Sequence, residues 1–196
     1  MKKQTIFLAL FTVIAFTACK NNAEKESEDE TTEVVEEVTE VTQEETAKEV
    51  SFSLESKSGS NASGKVTVTE NNGTVTLEAM LSGLEPGTHA IHIHEKADCT
   101  AEDGTSSGGH WNPTFEQHGK WGDETGYHKG DIGNFEADDE GNATVNFSTD
   151  EWCIGCGDEK KDILGKAIIV HKGADDFTSQ PSGAAGARVS CGGIIE

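Results

Sequence analysis

The segment "THAIHIHE", from Thr88 to Glu95, places three of the chain's seven histidines within six residues. Side chains on a strand alternate between faces, so His92 and His94 share one face while His89 joins Ile91 and Ile93 on the other. Residues two apart on a strand are separated by about 6.6–6.8 Å, and two imidazoles at that spacing, each reaching about 2 Å to a metal, converge on one ion. His92 and His94 therefore read as a chelating pair. His89, on the isoleucine face, reads as a buried histidine whose ring nitrogens are satisfied by backbone.

Three more histidines fall in a glycine-rich stretch: His110 in "GGHWNP", His118 in "EQHGKW" and His128 in "GYHKGDIGN", with Asp131 three residues after His128. Three imidazoles and one carboxylate suit zinc without any thiolate. The seventh, His171, ends the apolar run "GKAIIVHK". Added to His92 and His94 it gives an all-nitrogen site suited to copper, the strongest binder among the divalent first-row ions. Any one of these histidines alone would read as an ordinary surface or core residue. Their grouping at strand ends and in glycine loops, as two chelating sets, is what carries the metal reading.

The elements that must position them are strands. "VSFSLES", "GKVTVTE", "TVTLEAMLS", "THAIHIHE", "ATVNFS", "GKAIIVHK" and "GARVSC" are short runs with period-two alternation, bounded by glycine and polar turns. "ENNG" between the second and third runs has the chemistry of a tight hairpin turn, because asparagine and glycine tolerate positive φ. No segment after Val50 has helical periodicity. The expected fold is all-β, a Greek-key sandwich or flattened barrel of about eight antiparallel strands. Two long loops interrupt it, Lys96 to Asn134 and roughly Thr149 to Leu164, and long loops in a compact domain are commonly functional.

Composition bounds the rest. At 196 residues one core is expected. The formal charge of −21 argues against nucleic acid or an anionic membrane surface as a partner. The start "MKK", the apolar run "QTIFLALFTVIAF" and the small residues of "TAC" resemble a bacterial lipoprotein signal cleaved before Cys19, whose thiol would then carry the lipid. An ordinary secretory signal is the alternative, and in both cases the mature chain is exported. From Lys20 to Glu49 there are twelve acidic residues and three lysines with no glycine, proline or aromatic, the composition of a solvated tether. The expected partition is a signal over 1–18, lipidated cysteine and tether over 19–49, and the domain over 50–196. Lys20 after the lipidated cysteine points to the outer membrane, facing either periplasm or exterior, with the lipid as the sole membrane attachment.

The block from Gly87 to Asn134, with "HIHE", "GGHWNP" and "HKGDIGN", followed by "IIVH", "ADD" and "GARVSCGGI", resembles Cu/Zn superoxide dismutase in its exported bacterial form, over about Val50 to Ile195. The resemblance implies copper on His92, His94, His110 and His171, and zinc on His110, His118, His128 and Asp131, with His110 bridging the two ions. It implies that Asp175 links a copper-side to a zinc-side histidine and so fixes their ring orientation. It assigns Arg188, the only arginine of the chain, the drawing and orienting of superoxide against an unfavourable net charge. It pairs Cys99 with Cys191. Cys153 and Cys156, in "EWCIGCGDE", lie outside the family pattern. In an exported protein a local disulfide is favoured for them, with a secondary copper site, a redox sensor or crossed pairing with Cys99 as alternatives, since four cysteines allow three connectivities.

The activity this resemblance implies is the conversion of superoxide to oxygen and hydrogen peroxide by one-electron cycling at copper, with His110 moving a proton and zinc holding the loop. A copper-delivery lipoprotein that kept the fold without turnover is the rival. Handling Cu(I) favours soft donors, and after Cys19 only Met80 supplies a thioether, which leaves the "CIGC" pair as that reading's main support. A structural acidic surface protein would explain the tether alone. The oligomeric state stands open between monomer and homodimer.

Overall fold

The computed structural model describes residues 47–196. The expected signal, Cys19 and nearly all of the acidic segment lie outside the described residues. Eight antiparallel strands form the domain: β1 Lys48–Ser56, β2 Ser63–Asn71, β3 Thr74–Ser82, β4 Gly87–His94, β5 Gly133–Ala137, β6 Ala143–Thr149, β7 Ala167–His171 and β8 Arg188–Gly193. Their order is β5-β4-β7-β8-β1-β2-β3-β6, and β5 and β6 at its two ends touch, so the sheet comes round to a flattened barrel. β1, β2, β3 and β6 make one half and β5, β4, β7 and β8 the other. The halves are joined through β1 and β8 by only two residue pairs, Glu55 with Cys191 and Ser56 with Ser190. No helix among the described residues is long and apolar enough to cross a membrane.

The first half follows the alternation of its sequence. Along β3, Val75, Leu77, Ala79 and Leu81 point into the core and the residues between them to solvent. The "ENNG" turn has Asn72 at φ 50° and Gly73 at φ 74°, the positive-φ pair that matches the twist of two tightly joined strands. In the second half β4, β7 and β8 do not alternate in burial, because loops cover their outer face. β4 is buried from His89 to His94 and β7 throughout. Ile91, Ile93, Ile168 and Val170 fill the barrel, while His92, His94 and His171 point outward beneath the covering loops.

Two boundaries differ from the sequence expectation. β1 begins two residues early, at Lys48, because its register with β2 continues through Lys48 opposite Glu70, and the Lys48 ammonium donates to the Ile154 carbonyl at 2.6 Å. β5, "GNFEA", lies partly within the stretch expected to be loop and has no counterpart among the predicted runs. It is five residues long, begins with glycine and holds one aromatic, too little apolar alternation to stand out. The first long loop holds a 3₁₀ turn, Thr105–Ser107, which is too short to leave a periodic signal.

Candidate metal centre

The barrel creates the site where β5 stops. β5 pairs with β4 only as far as Ile91 opposite Gly133, which leaves the Ile93 backbone without a strand partner on that side. The long loop fills the gap: Ile93 N–H donates to Gly130 O at 2.9 Å, Trp111 N–H donates to Ile93 O at 2.8 Å, and Gly130 N–H donates to Trp111 O at 3.0 Å. This triangle brings His110, His128 and Asp131 beside His92 and His94. Residue 130 must be glycine, because a Cβ there would collide with the Ile93 carbonyl. The far side of the His128 segment is held by the second loop: Trp152 Nε1–H donates to Lys129 O at 2.8 Å, Tyr127 OH donates to Glu151 at 2.7 Å, and Lys129 pairs with Glu151.

His92, His94, His110 and His171 form one buried cluster, and His110, His118, His128 and Asp131 a second; within each, one ligand atom per residue lies within 4.8 Å of the others. Both clusters contain His110. Hydrogen bonds decide which nitrogen each ring presents. His94 Nδ1–H donates to Gly108 O at 2.9 Å and His171 Nδ1–H to Gly186 O at 3.2 Å, so both present Nε2. Those two nitrogens, each bearing a lone pair, face each other at 3.4 Å. His92 Nε2–H donates to Asp175 Oδ2 at 2.8 Å and presents Nδ1. His92 Nδ1 and His110 Nε2 are buried with no hydrogen-bond partner.

In the second cluster the Asp131 carboxylate lies 2.8 Å from His110 Nδ1, 2.9 Å from His118 Nδ1 and 3.2 Å from His128 Nδ1. Despite these distances His118 Nδ1 and His128 Nδ1 have no aligned hydrogen bond. The donors converge on a shared point instead of on one another. Lone pairs that face each other, and buried nitrogens left without partners, cost free energy unless a cation satisfies them. The donor sets therefore fit metals: four imidazoles on one side, three imidazoles and a carboxylate on the other.

The shared environment drives the ionisation of like residues in opposite directions. Burial pushes His171 down to about 3, helped by the charge of His92. Burial also lowers His110, to about 4, against the pull of Asp131, and holds His94 well below its ordinary value, with His110 adding to the effect. For His118 burial acts the same way but is outweighed by Asp131 and Asp175, which raise it to about 9. Burial would raise Asp131, yet the His110 hydrogen bond, the close His118 and His128 rings and the His128 backbone N–H hold it well below the carboxylate range.

Asp175 spans the clusters: its other oxygen accepts from His118 Nε2 at 2.9 Å. Two residues that sequence reasoning missed set this geometry. Asn134, at the start of β5, grips the Asp175 backbone from both sides, accepting from its N–H at 2.8 Å and donating to its carbonyl at 2.9 Å. Gln180 does the same to His118, through its N–H and its carbonyl, each at 2.8 Å. Neutral amides in polar loops carry no sequence signal that separates them from surface residues. His89 is inside the barrel, its ring nitrogens 2.9 Å from His171 O and 2.7 Å from Glu85 O, and it joins neither cluster.

Arg188 stands at a cleft of about 410 Å³ that it lines together with His94, His110, His128 and His171. Cys99 is bonded to Cys191, 92 residues away, and Cys153 to Cys156. With Asp162 the latter pair also gathers three donors within 4.8 Å. Its sulfurs are bonded to each other, however, and the Asp162 carboxylate accepts from the N–H groups of Gly155, Gly157 and Leu164. This third group is a loop staple, and the soft donors that a copper carrier would need are consumed in it.

A Greek-key barrel carrying two adjoining metal clusters that share a histidine defines the class of protein. The copper/zinc superoxide dismutase (SODC) family profile matches residues 62–194, and the chain belongs to that family. It is 37% identical over 135 residues to Cu-Zn superoxide dismutase 2 of Aquifex aeolicus, a match covering 67% of this chain and 78% of the relative, and 37% identical over 134 residues to dismutase 1 of the same organism. Among solved structures, a SOD-like protein from Bacillus subtilis superposes with TM-score 0.66 at 31% identity, covering 74% of this chain and 97% of that one. The clock protein EA4 superposes with TM-score 0.65 at 30% identity, covering 75% and 94%. Proteins described so differently share this fold, so activity must be argued from the site.

Proposed function

We propose that the protein converts superoxide to oxygen and hydrogen peroxide, with His92, His94, His110 and His171 holding copper and His110, His118, His128 and Asp131 holding zinc. The observation that carries the reading is His110: its Nε2 is an unpartnered buried atom facing the three other imidazoles, and its Nδ1 lies in the Asp131 cluster. Copper, when bound, supplies a one-electron couple that alternately oxidises and reduces the substrate. His110 Nε2, buried and without a partner, is the atom placed to take up a proton and pass it to departing peroxide, which draws its second proton from water. The Asp131 side keeps Nδ1 engaged, so the ring stays in place while Nε2 changes partners. Asp175, gripped by Asn134, fixes the orientation of both His92 and His118. Arg188 draws the anion into the cleft by charge and orients it there, against the repulsion of a chain at −21.

The chain's start supports export with a lipid on Cys19, and a mature protein attached to the outer membrane through that lipid and the acidic segment, serving as an antioxidant defence outside the cytoplasm. The test is dismutation by the full chain loaded with copper and zinc, beside His171→Ala and Arg188→Ala. Fast turnover that His171→Ala abolishes, and that Arg188→Ala slows with both metals retained, is the expected result. Stoichiometric binding of both metals without turnover would overturn the reading.

A further inference from the structure

The Arg188 guanidinium touches two groups, and both contacts go through one nitrogen. Nη1 donates to the Gly104 carbonyl at 2.8 Å and to the Ser107 hydroxyl at 3.0 Å. The Ser107 hydroxyl, fully buried, gives its own proton to the Gly104 carbonyl at 2.9 Å, so its lone pairs are turned toward Arg188. Among the described residues no carboxylate makes an ion pair with Arg188. Both protons of Nη1 are thus committed to neutral acceptors, and the protons of Nη2 and Nε stay available. A carboxylate in the place of Ser107 would hold the side chain as firmly but cancel the charge that an anionic substrate must feel. Gly104 is left-handed at φ 71°, and a Cβ there would lie 3.3 Å from the Arg188 Cβ. The turn is therefore shaped around the arginine stem as well as its head.

We propose that Ser107 is a positioning residue for Arg188: its buried hydroxyl, with the Gly104 carbonyl, holds the guanidinium in one orientation at the cleft without pairing it to a carboxylate, so that its remaining protons stay open to a small anion. This rests on the role of Arg188 proposed above. Without the hydroxyl, one Nη1 proton loses its acceptor and the side chain turns more freely, so the anion meets the same charge in a less defined place.

The experiment uses the full chain loaded with copper and zinc, as wild type, Ser107→Ala, Arg188→Ala and the double variant. Azide serves as the anion probe, its binding followed by the change in the copper visible spectrum. Ser107→Ala is expected to weaken azide binding about tenfold, the low end for losing a hydrogen bond to a charged group, with metal content unchanged. On the Arg188→Ala background the same substitution is expected to change nothing further. Because Arg188 is the sole arginine, its guanidinium ¹⁵N signals are unambiguous, and in the reduced, diamagnetic protein Ser107→Ala should collapse separate Nη signals into one averaged signal. Unchanged azide binding in Ser107→Ala beside weakened binding in Arg188→Ala overturns the proposal alone. So does an equal loss on both backgrounds, which would mean that Ser107 acts on the site without Arg188. Azide binding and turnover indifferent to Arg188→Ala would instead overturn the reading of Arg188 itself.

Discussion

The two clusters that share His110 are built in opposite ways. On the copper side His92 and His94 stand on β4 and His171 ends β7, so three of four donors are spaced by a sheet whose inner face is packed with isoleucine and valine. No carboxylate is a donor in that cluster, and burial, with the neighbouring imidazoles adding to it, makes His94 and His171 hard to protonate. On the zinc side every donor lies in the loop between β4 and β5, and order comes from Asp131, whose oxygens also accept from the backbone N–H of Gly119 and His128. A sheet positions donors by geometry and a loop positions them by charge. The first arrangement should survive loss of a partner that the second cannot tolerate.

The largest effect expected from this contrast is that of Asp131→Ala, which leaves His110, His118 and His128 without the carboxylate they surround. Removing one member of a buried charged network costs about 3–5 kcal/mol, so thermal unfolding should shift by many degrees and zinc should be lost, while copper still binds at the sheet-borne donors. Elemental analysis together with calorimetry checks this, and a variant that kept zinc at full occupancy would erase the distinction.

Of comparable size is the effect of the longer of the two disulfides, which tie the two long loops at very different range. In the chain-entropy picture Cys99–Cys191, closing 92 residues, contributes about 4–5 kcal/mol, and Cys153–Cys156, closing three, about 2 kcal/mol. Urea unfolding of Cys99→Ser and Cys153→Ser, each with its partner also replaced by serine, should rank them in that order. Asn134→Ala, which frees the Asp175 backbone, should weaken metal binding by about 10–100-fold, as outer partners of ligands commonly do. Competition with a chelator reads this out, and unchanged affinity would deny Asn134 its role.

The smallest effect is on pH dependence in the metal-free protein. His94, His110 and His171 are depressed on folding, so below their ordinary 6.5 the unfolded chain takes up protons that the folded one refuses, and stability falls between about pH 6.5 and 3. His118 is raised to about 9, so its contribution is complete below 6.5 and is lost as pH rises through 9. Imidazole titration by NMR should separate His118 from His171 by several pH units, whereas a common midpoint near 6.5 would show that the two environments are alike.

What could be read in the sequence follows the same division. The spacing of His92 and His94 and the alternation of β3 are local patterns imposed by strand geometry, and the structure repeats them. The His89 assignment also rested on parity, and the ring lies where parity puts it. β5 was hidden because a five-residue strand with one aromatic has little pattern to show. Asn134, Gln180 and Ser107 were hidden for another reason: each acts across 41 to 81 residues of sequence, and a neutral polar side chain in a loop reveals its partner only once the chain is folded. The positions of the second cluster could be assigned from family resemblance, but its dependence on Asp131 appears only when the carboxylate is seen among three imidazoles.

The His110 imidazole belongs to both clusters. Loading Cu(II) into both and recording the electron paramagnetic resonance spectrum tests it most directly, because a shared ring transmits exchange between the two unpaired electrons. With a shared ring the ordinary Cu(II) signal is largely cancelled at low temperature and returns when zinc replaces copper at the Asp131 side. Two independent Cu(II) signals that together integrate to two full spins would contradict it.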